Sequence, residues 1–194
     1  MTKERILVAA KAVLGTQGAG GLTVRKVADE AGLSPMAMYR HFANKDALLN
    51  ALMEDGLAAW EQIARSIRIQ DPLKWLTALG DAFLEFALAE PHRFDAAFFL
   101  PAPRARQYPE DFAMGRSPIV AMVMGHLEQG KATGLLREQS TLEMALAFSA
   151  LAQGLVSMYR ANRFGGEAQF RSLYRAQVRQ CLASFRAEGS EKGR

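Results

Sequence analysis

The chain has 194 residues, 49% of them hydrophobic, which is enough to bury a substantial core in one or two closely packed domains. The formal net charge of +4 favours an anionic partner, and the excess lies at the front: residues 1–50 hold 7 Lys and Arg against 4 Asp and Glu, the remainder 17 against 16. A single cysteine, Cys181, excludes an internal disulfide framework and fits a reducing compartment; no run of apolar residues has the length of a signal sequence or a membrane span, so the expectation is a cytoplasmic protein without a membrane partner.

In chain order, Ile6, Leu7, Ala10, Val13 and Leu14 recur at helical spacing until GTQGAGG ends the first helix. Thr23 caps a second, shorter helix with Val24, Val27, Ala28 and Ala31 on one side, and Gly32 closes it in the left-handed conformation. A third starts almost at once: Ser34 caps it, Pro35 takes the first helical position, where a missing N–H costs nothing, and Leu33 staples against Met38. Asn44 caps a long fourth helix whose apolar stripe runs Leu49, Leu52, Met53, Trp60, Ile63 and Ile67. Asp71-Pro72 and Ser117-Pro118 repeat the pairing of cap and proline, Pro91 begins another helix, and the prolines of PAPRARQYPEDFAMGRS predict a loop with room for one helical turn. Ser140 and Glu143 form a capping box that opens a helix through Leu142, Leu146, Leu151, Leu155 and Met158, which Gly165-Gly166 then breaks. A last helix carries Phe170, Leu173, Tyr174, Val178, Cys181, Leu182 and Phe185 along one side, before a frayed tail. Strand alternation, internal repeats and low-complexity blocks are absent, so the fold class is all-α.

The second and third helices, joined through Gly-Leu-Ser, share a small core of Val24, Val27, Ala28, Ala31, Leu33, Met38 and Phe42. That leaves Met36, Ala37, Tyr39, Arg40 and His41 pointing outward, with small residues near the start and donors near the end, as a helix lying in a DNA groove requires. A plain packing hairpin has the same outline.

GLTVRKVADEAGLSPMAMYRHFANKDALLNAL resembles the N-terminal DNA-binding domain of the TetR/AcrR regulators, with TVRKVA opening the second helix, AGLS at the turn, YRHF ending the third and NKDALL opening the fourth. The resemblance implies a helix-turn-helix domain over residues 1–46 (motif about 24–43), a connecting helix over 47–69, a helical effector-binding and dimerisation domain over 70–188 and a frayed tail over 189–194. Carried over to this chain, it has Thr23 and Arg25 meet phosphate near the start of the second helix. Ser34, Met36, Ala37 and Arg40 approach base edges, Arg40 reaching guanine and Ala37 a thymine methyl. Tyr39 and His41 donate to backbone oxygens, and Lys45 supplies charge to a phosphate.

The family also implies a homodimer on a palindromic duplex, released by a small-molecule effector and most often repressing, with the sixth helix as the lever and no cofactor. Leu151, Leu155, Met158, Phe170, Tyr174, Val178, Cys181 and Phe185 are the expected dimer residues, unless these stripes only close the subunit core. Trp75, Phe83, Phe86, Phe94, Phe98, Phe99, Met122 and Tyr159, with His126 or Gln153 as a polar handle, are the expected effector residues, unless they are ordinary packing. Two rivals stand beside this reading. One is a ligand-independent DNA architectural protein; the other is an all-α enzyme acting on a small apolar substrate, for which the chain offers neither a zinc spacing nor a nucleophile signature.

Overall fold

In the computed structural model, residues 3–187 are described, and the tail expected to fray, 189–194, lies outside them. The helices are α1 (Lys3–Gly21), α2 (Val24–Glu30), α3 (Pro35–Tyr39), α4 (Lys45–Ser66), α5 (Pro72–Ala89), α6 (Pro91–Phe98), α7 (Glu110–Ala113), α8 (Pro118–Ala132), α9 (Thr141–Arg160) and α10 (Glu167–Ser184). Among the described residues the only β-type pairing is an isolated bridge between Leu136 and Arg186, so the all-α expectation holds.

The predicted helix boundaries are visible as hydrogen bonds. The Ser34 hydroxyl accepts the Ala37 N–H at 3.2 Å, the Asn44 amide oxygen that of Ala47 at 2.8 Å, the Asp71 carboxylate that of Lys74 at 2.8 Å and the Ser140 hydroxyl that of Glu143 at 3.3 Å. Ser117 also precedes a helix-opening proline, yet its side chain makes no capping bond. The first helix departs from expectation, because helical geometry resumes after a break at Gly18 (φ 67°, ψ −179°) and runs on to Gly21.

Two compact units emerge, and they do not follow chain order: residues up to 60 group with 86–105, and residues 61–85 group with the chain from 106 onward. The first unit is built around Ile6, Ala10, Val27, Met38, Phe42, Leu48 and Leu52, with Ala96, Leu100 and Ala102 in the same core. Thus α6 and the residues after it are structural parts of the unit that holds α2 and α3. In the second, Met144, Ala145, Phe148, Ala152 and Val156 are the buried side of α9, and Phe170, Tyr174, Val178 and Leu182 that of α10. The Tyr174 hydroxyl donates to the Gly80 carbonyl at 3.0 Å, and Arg175 pairs with Asp81 at 3.0 Å, tying α10 to α5.

By length and composition alone α9 is long and apolar enough to cross a membrane, although Ser149, Gln153 and Gly154 interrupt its apolar run. Its buried side belongs to the core of its unit.

Candidate nucleic-acid interface

The α2–α3 corner is set by backbone chemistry. Beyond α2, the Leu33 N–H donates to the Ala28 carbonyl at 2.8 Å and the Gly32 N–H to Asp29 at 3.1 Å. This paired closure requires a left-handed residue at its centre, which Gly32 supplies at φ 66°. Ser34, in extended conformation, then begins α3 with no connecting loop to absorb a change of direction. Since α3 has only 5 residues, packing must hold it in place: Met38 is 0% and Phe42 2% exposed, both in the core shared with α1 and α2.

With those two side chains inside, the remaining face is bare. Met36 is 72% and Tyr39 52% exposed, Ser34, Arg40 and His41 are exposed, and Ala37 is half-buried. Thr23, Arg25 and Lys45 are exposed on the flanking elements, and the Thr23 hydroxyl already accepts the Lys26 N–H at 3.2 Å. Among the described residues none of Arg25, Arg40 and Lys45 has an ion-pair partner, so their charge is available to an anion. The sequence-derived contact residues therefore lie on one short helix and the two helix starts beside it.

Away from this face, Lys11 and Arg93 of the first unit share one carboxylate. The Asp55 carboxylate of α4 accepts from Lys11 of α1 at 3.0 Å and from Arg93 of α6 at 3.1 Å, and Arg93 also reaches Glu90 at 2.8 Å. Burial alone would raise the Asp55 pKa; the hydrogen bonds and charges of Lys11 and Arg93 together outweigh it and hold the carboxyl below its ordinary 3.8. At Gly56 the helices touch through backbone, since a Cβ there would lie 2.6 Å from the Arg93 carbonyl oxygen. A glycine inside an otherwise apolar helical stripe was the available sign of this approach; nothing in the sequence paired Asp55 with Lys11 and Arg93.

The expected effector residues are distributed over both units. Phe86, Phe94, Phe98 and Phe99 fall in the first unit, where Phe94 meets Phe86 edge-on at 5.9 Å and lies 4.8 Å from Phe98 and 5.7 Å from Phe99. Trp60, unforeseen for this role, stacks on Phe86 at 5.9 Å. In the second unit Trp75, 2% exposed, stacks on His126 at 4.0 Å and 15°. The buried His126 Nδ1 has no hydrogen-bond partner, and burial pulls the imidazole below its ordinary pKa. Phe83 is buried, Met122 and Gln153 are half-buried, and Tyr159 belongs to a different group, stacked on Phe170 at 4.2 Å beside Phe164. Among the described residues no cluster of His, Cys, Asp and Glu is placed to hold a metal ion.

The expected dimer residues are mostly buried within a single chain. Phe170 and Tyr174 are 0%, Val178 3%, Phe185 4% and Leu155 8% exposed, so this stripe is spent inside its own unit; Leu151 and Cys181 are half-buried. Of the set only Met158, 50% exposed, faces outward, together with Leu146 at 42% and Leu173 at 38%.

Comparison with known proteins accords with this geometry. The pattern described as "Bacterial regulatory proteins, tetR family" matches residues 6–52, and that of the "Tetracyclin repressor-like, C-terminal domain" matches 76–181, more than half of the chain. The class A tetracycline repressor from transposon 1721 of Escherichia coli is 47% identical over 61 residues, 30% of this chain and 28% of that protein. An HTH-type transcriptional regulator of Mycobacterium bovis is 29% identical over 126 residues, 62% of this chain and 53% of its own. The matches thus span from about a quarter to about half of these curated relatives' length. A putative tetR family regulator from Shewanella sp. PV-4 shares the fold, with a TM-score of 0.70 at 24% identity over 95% of this chain and 98% of its own. A bare reading helix on a buried hairpin, and sequence patterns matched at both ends of the chain, place this protein in the TetR family of transcriptional regulators.

Proposed function

We propose that the protein is a cytoplasmic, ligand-responsive repressor that binds a palindromic operator as a homodimer and is released by a small molecule. The observation that carries this reading is the division of α3, with Met38 and Phe42 in the core and Ser34, Met36, Tyr39, Arg40 and His41 presented to solvent. Laid in a major groove, that face brings Ser34, Met36, Ala37 and Arg40 to base edges. Tyr39, His41, Thr23, Arg25 and Lys45 then flank it at phosphates. One such face makes few contacts; a two-fold pair doubles them on half-sites about one helical turn, ~34–36 Å, apart.

The surface that pairs two copies is drawn from the outer sides of α9 and α10. There Leu146, Met158 and Leu173 stand exposed among small residues such as Ala150, Gly154 and Ala176, and a Cβ at Gly154 would meet nothing within 4 Å. Release by an effector needs a path to the reading head, and α6 supplies one, because its Ala96 is in the head's core and its Arg93 is bound to Asp55. A ligand acts only if it prefers one arrangement of the two heads, so binding tightly without such preference would change nothing.

Selection of bound fragments from the source genome is the test. A palindromic site preferred over bulk duplex by about 10³-fold or more supports a regulator; enrichment without such preference favours the architectural alternative. On the recovered site Arg40→Ala should relax choice at one base pair per half-site by about 1–3 kcal/mol. Equal weakening on every sequence would move Arg40 to the backbone.

A further inference from the structure

We propose that Lys3, at the start of α1, is a DNA-phosphate contact, held in position by the ring of Phe42. The ammonium lies 5.3 Å from the centroid of that ring. Phe42 is 2% exposed and follows the Tyr39–Arg40–His41 end of the reading helix directly, so the ring is fixed in the core and its neighbours in sequence face outward. A lysine on a helix surface ordinarily samples many rotamers; this one is attracted to the face of an immobile aromatic ring at the edge of the reading face. The ring leaves the N–H groups of the ammonium free to donate to an oxyanion.

Three other cations of the same unit are committed elsewhere. Lys11 and Arg93 share Asp55, and Lys26 hydrogen-bonds Gln17. Lys3 is exposed and, among the described residues, has no ion-pair partner, Glu4 beside it included. The contact surface therefore extends from α2, α3 and the start of α4 onto the start of α1, a residue outside the helix-turn-helix motif. The inference rests on the regulator reading, since it needs a duplex against the reading face.

Salt dependence on a labelled duplex of random sequence tests it without knowledge of the operator. The intact protein should lose affinity linearly in log salt, and Lys3→Met should make the slope shallower by about 0.9 unit for each Lys3 that neutralises one phosphate. Lys3→Arg should restore the slope, and Lys74→Met, an equal change of charge at an exposed site in the second unit, should leave it unaltered. A flat response in the intact protein would sink the regulator reading itself. A normal slope that Lys3→Met does not change, with or without a lower melting temperature, or that Lys74→Met reduces equally, would overturn the role of Lys3 alone.

Discussion

His126 shows how one side chain carries a consequence beyond its contacts. Its Nδ1 is buried without a partner against Trp75, and burial lowers its pKa from 6.5. A group whose folded pKa lies below its unfolded one takes up protons more readily when the chain unfolds. Its contribution is therefore fully present above pH 6.5 and lost as pH falls from there towards the folded pKa. Urea unfolding at a series of pH values should show this decline, and His126→Gln, which cannot titrate, should flatten it. An unchanged slope in the variant would place the titration elsewhere. Gly56 illustrates a different kind of constraint: no residue with a Cβ fits there without displacing the backbone of α6.

At the scale of elements, α1, α4 and α6 are joined by one carboxylate. Asp55 serves Lys11 and Arg93 from a site whose side chains are 20–31% exposed, between a surface pair and a buried one. Asp55→Asn should cost about 1–2 kcal/mol near neutral pH, as two cations lose their shared partner. Because the native carboxyl is held below 3.8, the stabilisation is present above that pH and lost as pH falls through the folded value; the variant and the intact protein should converge there. A difference independent of pH would show that the charge is not what matters. The α2–α3 corner depends on geometry instead: Gly32 at φ 66° permits two closing bonds that hold a helix too short to persist alone.

For the molecule as a whole, the proposed function needs two copies, and the proposed pairing surface lies on the outer sides of α9 and α10. Gly154→Arg places a charge on the exposed face of α9, where a Cβ has open space, so the fold of one subunit should survive. If this face pairs two subunits, sedimentation equilibrium should show a dimer dissociation constant raised at least about tenfold, as burying an unpaired charge costs several kcal/mol. Operator affinity should fall with it. An undisturbed dimer would assign pairing to another surface.

Much was determined by the residues in order. Caps at Ser34, Asn44, Asp71 and Ser140, the closing Gly32 and the buried pair Met38 and Phe42 were legible, because each depends on neighbours within about one helical turn. The outward set on α3 followed from the same periodicity once its inward partners were known. Only the tertiary structure decided that Phe170, Tyr174, Val178 and Phe185 face inward, that Tyr159 and His126 belong to separate aromatic groups, and that α6 shares a core with α1 and α4. Periodicity identifies an apolar side of a helix but not its partner. Pairing residues dozens of positions apart, such as Asp55 with Arg93, depends on where the chain returns in space.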